Sequence, residues 1–276
     1  MKFKTFLKKH KYFLLIFLFL MILAFDVRLK TVVYTLESDK INTPIRICLV
    51  TDLHGCTYGD NQEKLIREID KMEPDIILLG GDIFDDVHPW ENSEIFLGEI
   101  THYTSYYVTG NHEYWSHQAS EILGIIQSYG VQIIDGEHQL LEIKGEMLNL
   151  CGVSDPDGEK YVENQDSTFT QLVQLEEQID TEFYSILLTH RPELVDTYLN
   201  YSYDLALAGH AHGGQWRIPF LLNGLYAPNQ GIFPQYAGGF YGFEDMNLIV
   251  SRGLSRENQI IPRIFNRPEL VFIDLT

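Results

Sequence analysis

The sequence predicts an α/β protein in which strands of a largely parallel sheet alternate with helices. Short apolar runs alternate along the chain with amphipathic stretches, which is the pattern of this fold class. The 276 residues are 45% hydrophobic, enough to bury a full core. Tyr and Phe are plentiful and low-complexity tracts are absent from the sequence, which excludes disorder as the main state.

Apolar runs of six or seven residues, bounded by turn residues, predict the strands. They occupy residues 45–50, 75–80, 105–110, 147–153, 184–189 and 203–209, and the C-terminal segments "NLIVSRG" and "ELVFIDL" predict more strand. Amphipathic stretches at residues 61–72, 118–130 and 169–179 predict helices between them. Asn61 is the candidate cap of the first helix, and Gly130 ends the second.

The N-terminal segment has the composition of a membrane anchor. An apolar stretch of 14 residues runs from Tyr12 to Phe25. As a helix it would cover roughly 21 Å of a hydrocarbon core about 30 Å thick, which fits a signal-peptide core or a short anchor. Because no small-residue cleavage pattern follows, we expect an uncleaved membrane helix in residues 1–30 and one folded domain in residues 31–276.

Charge predicts both the orientation of this anchor and the partners of the domain. Five lysines precede the apolar stretch, and only Arg28 and Lys30 follow it closely. The positive-inside rule then predicts a single-pass cell-membrane protein with a cytoplasmic N-terminus and an extracytoplasmic domain in residues 31–276. Residues 31–276 hold 13 of the 20 basic and 38 of the 39 acidic side chains. Such an acidic domain repels polyanions, so we expect no long nucleic acid as partner, and the sequence indicates no protein partner.

Five of the predicted strands end in potential metal ligands. In open α/β sheets the carboxyl ends of the strands form the ligand-binding edge, so these side chains should meet there. One polar residue after a strand would carry little weight, but five at one edge predict a site. The residues delivered in this way are Asp52, His54, Asp82, Asn111, His190, His210 and His212.

This set of side chains predicts two metal ions. Carboxylate, amide oxygen and imidazole together suit Mn²⁺, Fe or Zn²⁺, with Mn²⁺ the expected ion, and do not suit Ca²⁺ or an iron–sulfur cluster. Seven ligands are too many for one ion but suffice for two if one carboxylate bridges. Asp82 follows a Gly-Gly turn and is the natural bridge. Asp52 and His54, like His210 and His212, would point the same way if their strands continued.

Five motifs resemble, in order and spacing, those of the calcineurin-like metallophosphoesterases: "DLH", "GGDIFD", "GNHE", "LLTHRPE" and "GHAHGGQ". They span residues 52–215. The tail "LYAPNQGIFPQYAGGFY…SRGL…NRPEL" further resembles a bacterial, membrane-anchored branch of that family. This branch is similar to phosphodiesterases of the YaeI and YkuE type and to UDP-diacylglucosamine pyrophosphatase-like enzymes.

The resemblance implies a four-layer α-β-β-α sandwich with two metal ions at the strand ends. By motif, one ion would take Asp52, His54, Asp82 and His212, and the other Asp82, Asn111, His190 and His210. It further implies attack on phosphorus by a metal-bridging hydroxide. His112 would be the acid toward the leaving oxygen, and Asp85 the carboxylate that orients His112.

One departure from the family pattern bears on the substrate. Phosphoprotein phosphatases of the family have an arginine directly after the second aspartate of their "GDxxD" motif, whereas Asp86 stands here. A cation that grips phosphate is thereby replaced by a negative charge. Arg191 and Arg252 are the candidate substitutes, although a surface or structural role fits each of them better.

We therefore expect a phosphoric ester hydrolase that cleaves phosphodiester or pyrophosphate bonds, on lipid-linked or cell-envelope substrates if the domain is anchored. A phosphomonoesterase or nucleotide phosphodiesterase is the alternative among enzymes. A non-catalytic scaffold that retains the fold is the alternative outside them. Scaffolds lose metal ligands or the acid, whereas this chain retains all seven ligands and His112.

Overall fold

The computed structural model describes residues 11–256 and 261–276. Its strands, in chain order, are β1 (Lys30–Leu36), β2 (Ile45–Val50), β3 (Ile76–Gly80), β4 (Ser105–Val108), β5 (Gln132–Ile133), β6 (His138–Ile143), β7 (Glu146–Gly152), β8 (Tyr184–Leu188), β9 (Leu205–Ala208), β10 (Tyr226–Ala227), β11 (Gly231–Ile232), β12 (Gly239–Gly242), β13 (Asn247–Val250) and β14 (Glu269–Leu275). Its α-helices are α1 (Lys11–Ala24), α2 (Glu63–Met72), α3 (Glu91–Glu99), α4 (Asn111–Trp115), α5 (Ala119–Ser128), α6 (Gly158–Tyr161), α7 (Thr168–Glu176) and α8 (Val195–Tyr198).

Two six-stranded sheets contain most of these strands. The first has the order β1-β14-β2-β3-β4-β5, and β2 to β5 run parallel to one another. The second has the order β12-β13-β9-β8-β7-β6, and β13, β9, β8 and β7 run parallel. The parallel centre of each sheet therefore presents the carboxyl ends of several strands at a common edge.

Alternation along the strands builds two kinds of core. In β2, Ile47 and Leu49 face the other sheet, whereas Cys48 and Val50 face the layer that contains α2, α3 and α5. A third cluster packs α7 and α8 on the outer face of the second sheet. The result is a mixed α/β sandwich with two sheets inside and helices outside, which confirms the predicted fold. Cys48, Cys56 and Cys151 are buried free thiols in it.

The N-terminal helix corrects the prediction for the first 30 residues. α1 has 14 residues, and no helix in the described part of the chain is long and apolar enough to cross a membrane. This finding overturns the predicted localisation as a single-pass membrane protein with an extracytoplasmic catalytic domain. The four lysines that supported it before α1 lie in residues 1–10, outside the described residues.

The helix predicted at residues 61–72 begins later than expected. Asn61 and Gln62 have φ of 50° and 62°, so neither adopts the helical conformation, and α2 begins at Glu63. The Asn61 side chain is not a cap of this helix, because the residue preceding α2 is Gln62 and makes no side-chain cap bond. The strand predicted at residues 45–50 has the predicted bounds in β2.

Candidate metal centre

The predicted ligands lie where parallel strands of both sheets end. Asp52 and His54 follow β2, Asp82 follows β3, and Asn111 begins α4 three residues after the end of β4. In the second sheet, His190 follows β8, and a segment with His210 and His212 follows β9. All seven residues are at least 95% buried. The fold therefore gathers ligands from two sheets into one buried, polar centre.

Left-handed backbone, and not continued strand, directs the ligands inward. The φ angles are 53° for Asp52, 49° for His54, 53° for Asp82, 64° for His210 and 47° for His212. Such conformations cost about 1–3 kcal/mol each in a residue other than glycine and cluster at functional sites. The i, i+2 geometry expected for a continued strand is thus replaced by tight turns.

Two glycines leave room for these turns. A Cβ atom on Gly110 would lie 2.2 Å from Asp82 Oδ1, and one on Gly253, which has φ of 70°, would lie 2.6 Å from Asp52 Cβ. Both distances are far inside van der Waals contact. The two carboxylates therefore depend on glycine at positions 110 and 253.

The acid and imidazole ligands form two groups that share Asp82. Asp52, His54, Asp82 and His212 form one group, and Asp82, His190 and His210 form the other. In each group one ligand atom from every residue lies within 4.8 Å of the others. This arrangement matches a binuclear divalent-metal site bridged by one carboxylate.

Orphaned oxygen atoms show that these residues fit cations. Asp52 Oδ2 and Asn111 Oδ1 are buried and have no hydrogen-bond partner among the described residues. Leaving a buried polar oxygen without a hydrogen-bond partner costs about 1–3 kcal/mol, so such an atom calls for a structural or functional explanation. Divalent cations would satisfy both oxygens, and the oxygen-and-imidazole donor set suits Mn²⁺, Fe or Zn²⁺.

In each histidine ligand, one ring nitrogen is held by a partner outside the set of ligands, and the other ring nitrogen points toward another ligand. His54 Nδ1 lies 2.8 Å from Asp85 Oδ2, His190 Nδ1 donates to Gly80 O at 2.8 Å, and His212 Nδ1 lies 2.9 Å from Ser255 Oγ. These bonds leave Nε2 to face the carboxylates. For His210 the roles are exchanged: Nε2 lies 2.9 Å from Asn229 Oδ1, and Nδ1 faces His190. Partners of this kind fix the orientation of metal-binding imidazoles.

The electrostatic environment sets the protonation states of several ligands in a way that favours cation binding. Burial and neighbouring positive groups lower the pKa values of His210 and His212, so both imidazoles stay neutral and retain a lone pair. Burial alone would raise the pKa of Asp82, but His190 and His112 hold it well below its ordinary value. Burial alone would lower the pKa of His190, but Asp82 raises it to about 10. Metal binding would therefore displace a proton that His190 shares with Asp82.

His112 lies beside the first ligand group and is within reach of solvent. Its side chain is 23% exposed, and its ring contacts that of His54 with centroids 4.4 Å apart. His112 Nδ1 lies 2.6 Å from Asp86 Oδ1 and 3.7 Å from Asp85 Oδ2. The carboxylate that hydrogen-bonds His112 is therefore Asp86, and Asp85 bonds His54 instead. In the sequence, Asp86 was notable only because it replaces an arginine.

Glu113 joins the loops that carry two ligands. Its Oε2 accepts from the backbone N–H groups of Asp82 and Gly110, and its Oε1 accepts from that of Phe84. Through these bonds the "GNHE" turn positions the loop of the shared carboxylate. The backbone N–H of His112 donates to Asp82 Oδ1 at 2.9 Å and strengthens this link.

The two arginines proposed as phosphate grips are both engaged in structural ion pairs. Arg191 is 3% exposed and forms a two-point ion pair with Asp155. It also donates to Asn229 Oδ1 at 2.6 Å, and its Nη1 lies 3.1 Å from His210 Nε2. Arg252 pairs with the buried Glu269 at 3.2 Å. Both side chains stabilise the walls of the site.

Sequence reasoning missed the outer partners Asp86, Asn229 and Ser255. Asn229 lies in the segment "LYAPNQGIFPQYAGGFY", whose resemblance to the family branch assigns no role to it. Ser255 follows "SRGL", and Gly253 lies within it. The resemblance of these tail segments to one branch of the family was thus the sequence feature that could have pointed to Asn229 and Ser255.

Comparison with known proteins agrees with this geometry. The family described as calcineurin-like phosphoesterase matches residues 45–214, and the chain belongs to it. The matched range contains all seven predicted metal ligands. Asn229, Gly253 and Ser255 lie beyond the matched residues.

Similar proteins are known from several bacteria. An uncharacterized metallophosphoesterase of Helicobacter pylori is 30% identical over 74% of this chain, and the match spans 57% of that protein, little more than half its length. One from Aquifex aeolicus is 27% identical over 88% of this chain and 90% of its own. YkuE of Bacillus subtilis, also described as uncharacterized, is 23% identical over 90% and 85%. The crystal structure of TT1561 of Thermus thermophilus has the same fold, with a TM-score of 0.51, 14% identity and coverage of 78% and 92%.

Proposed function

We propose that the protein hydrolyses phosphodiester or pyrophosphate bonds at a two-metal centre. The observation that carries this proposal is that two buried ligand groups share Asp82. A shared carboxylate holds two ions close enough for both to act on one phosphoryl group. When bound, the ions polarise phosphoryl oxygens and lower the pKa of water to a value suited to nucleophilic attack.

His112 supplies the acid in this proposal. Asp86 holds Nδ1 of the imidazole, so the other ring nitrogen is left to protonate the leaving oxygen. Asp85 serves the metal ligand His54, and its part in the reaction is to fix that ring.

The charges around the site favour a diester or pyrophosphate over a phosphomonoester. A monoester has an additional negative charge and needs a cation that is free to grip it. Asp86 occupies the position of the arginine that serves this purpose in phosphoprotein phosphatases. Arg191 and Arg252 are held by Asp155 and Glu269. Phosphomonoesterase activity is therefore less well supported than cleavage of a diester or pyrophosphate.

The proposed partners are small phosphate esters and a divalent ion, with Mn²⁺ first and Fe or Zn²⁺ as alternatives. The preference for lipid-linked or cell-envelope substrates depended on a membrane-spanning segment, so the proposal is confined to the type of bond. Long nucleic acids are disfavoured because residues 31–276 carry a net charge of about −25.

Hydrolysis of bis-p-nitrophenyl phosphate by the full chain tests this function. The apoprotein, prepared with a chelator, should be inactive, and Mn²⁺, Fe²⁺ or Zn²⁺ should restore activity with close to two ions bound per chain. The diester should be cleaved faster than p-nitrophenyl phosphate. Folded protein that binds two ions but cleaves neither ester would refute the enzyme and favour a scaffold. Faster cleavage of the monoester would favour the phosphomonoesterase.

A further inference from the structure

Trp115 is an exposed aromatic side chain in contact with His112. It ends α4, the helix that begins with Asn111. Its indole ring lies 4.9 Å from the imidazole of His112, centroid to centroid, and the residue is 39% exposed. A large apolar ring at the solvent side of a catalytic centre is not explained by core packing, because burial of this ring is incomplete.

Hydrogen bonding fixes the orientation of this ring. The indole Nε1–H donates to Asp157 Oδ2 at 2.8 Å. Asp157 is itself held, because its other oxygen pairs with Lys160 at 2.5 Å and its backbone N–H donates to Asp155 Oδ1. Asp155 is buried in its ion pair with Arg191. A network of hydrogen bonds and ion pairs thus connects the exposed ring to Arg191 in the wall of the metal centre. The orientation of the indole ring is therefore fixed before a ligand binds.

Neighbouring side chains make this surface more apolar. α4 packs against α6, which ends at Tyr161. Tyr161 is 42% exposed and Val162 is 38% exposed. The ring of Tyr161 contacts that of His117 at 5.2 Å. Trp115 and Tyr161 therefore belong to one partly exposed surface at the edge of the site.

The position of Trp115 relates it to one half of the substrate. In the proposed function, on which this inference rests, His112 protonates the leaving oxygen and so lies within about 3 Å of it. The first atoms bonded to that oxygen must then pass within reach of a ring that contacts His112. The phosphoryl group transferred to water would lie beside the two ligand groups that share Asp82 instead. Trp115 is thus placed to contact the leaving group.

We infer that Trp115 is a stacking platform that selects phosphodiesters whose leaving group contains a planar aromatic or heteroaromatic ring. Aromatic side chains bind such rings face to face or edge to face, whatever the substituents of the ring. A preoriented platform loses little entropy when it binds.

The experiment compares leaving groups on one methyl phosphate diester. The full-length Mn²⁺ protein is assayed on the 2-naphthyl, thymidine-5′ and 2,2,2-trifluoroethyl esters by following release of the alcohol. For each ester, kcat/KM of wild type is divided by that of Trp115→Ala, so that the acidity of the leaving group cancels. We expect a ratio of roughly 5 to 100 for the two ring-bearing esters, as for removal of one stacked base from an aromatic side chain. The ratio for the trifluoroethyl ester should stay below about 2, since it has no ring to stack.

Trp115→Phe is the matched variant, because it keeps an aromatic ring but loses the bond to Asp157. It should retain most of the naphthyl activity, and both variants should bind metal and unfold thermally as wild type does. A large wild-type to Trp115→Ala ratio for the 2-naphthyl ester alone would mean that the platform binds aryl leaving groups. A large ratio for the thymidine-5′ ester as well would mean that it also binds nucleosides. Equal ratios for all three esters would overturn the inference while leaving the proposed function intact. A wild type inactive on every ester would overturn both.

Discussion

His112 is hydrogen-bonded to Asp86 and not to Asp85, although Asp85 has the spacing expected of its partner. The distances from His112 Nδ1 are 2.6 Å to Asp86 Oδ1 and 3.7 Å to Asp85 Oδ2. Asp85 directs its oxygens to His54 and His88, each at 2.8 Å. Two adjacent carboxylates therefore serve different histidines, one a metal ligand and the other the proposed acid.

This division predicts different defects for two conservative substitutions. Asp86→Asn should lower kcat about 10- to 100-fold, the scale of general acid catalysis, with metal content unchanged. Asp85→Asn should weaken metal binding about 10- to 100-fold, because it removes the partner that orients His54. Steady-state kinetics at saturating Mn²⁺ and metal titration of the apoproteins measure the two effects.

Excess metal adds a readout that separates the two roles. Asp86→Asn should stay slow when excess metal is supplied, whereas Asp85→Asn should regain its activity. If excess metal restored Asp86→Asn and not Asp85→Asn, the roles of the two carboxylates would be reversed.

Asn229 and Ser255 should act on different ions. Asn229 holds His210 in the group with His190, and Ser255 holds His212 in the group with Asp52. We expect Asn229→Ala and Ser255→Ala each to weaken one of the two binding steps about 10-fold or more. Calorimetric titration of the apoproteins with Mn²⁺ resolves the steps. Unchanged affinities in Asn229→Ala would mean that Arg191 alone suffices to orient His210.

Loss of the shared carboxylate should affect both ions together. Asp82→Asn keeps the shape of the side chain but removes the negative charge common to the two groups. Bound metal should fall from about two ions to fewer than one, and activity should fall at least 1,000-fold, since it depends on both ions. Asp60→Asn, at an exposed residue, is the charge-matched control. Retention of one tightly bound ion in Asp82→Asn would show that Asp82 does not bridge.

The central strands of the fold were predictable because each is a buried apolar run that ends abruptly at a polar residue. β2 is the clearest case, with its predicted and observed bounds identical. α3 was not predicted, because its buried residues Phe96 and Leu97 are adjacent and give no helical period. The two-residue strands β5, β10 and β11 are too short to show a strand period. β5 forms by pairing with β4, and β10 and β11 pair with each other across a short turn.

The gathering of ligands at one edge was predictable for the same reason, since five strand ends carry them. The direction of each ligand was not, because it depends on left-handed turns such as those at Asp52 and His210. Which of Asp85 and Asp86 hydrogen-bonds His112 likewise depends on the backbone conformation of the loop after β3. Asn229 reaches the site only through tertiary folding of a segment beyond the last motif.

Asp135 should make stability depend on pH in a predictable direction. Burial, reinforced by Glu113 and Asp155, raises the pKa of Asp135 to about 7, against the hydrogen bonds donated by Thr109. A carboxyl whose pKa is higher in the folded than in the unfolded state favours folding while protonated, so stability falls as the pH rises from about 4 to 7. Between pH 5 and pH 8 this group should cost up to about 3 kcal/mol. Asp135→Asn removes the titration and preserves an acceptor for the Thr109 N–H, so urea unfolding of metal-loaded protein at both pH values should show a smaller loss in the variant. Parallel losses in the two proteins would show that Asp135 ionises normally in the folded state.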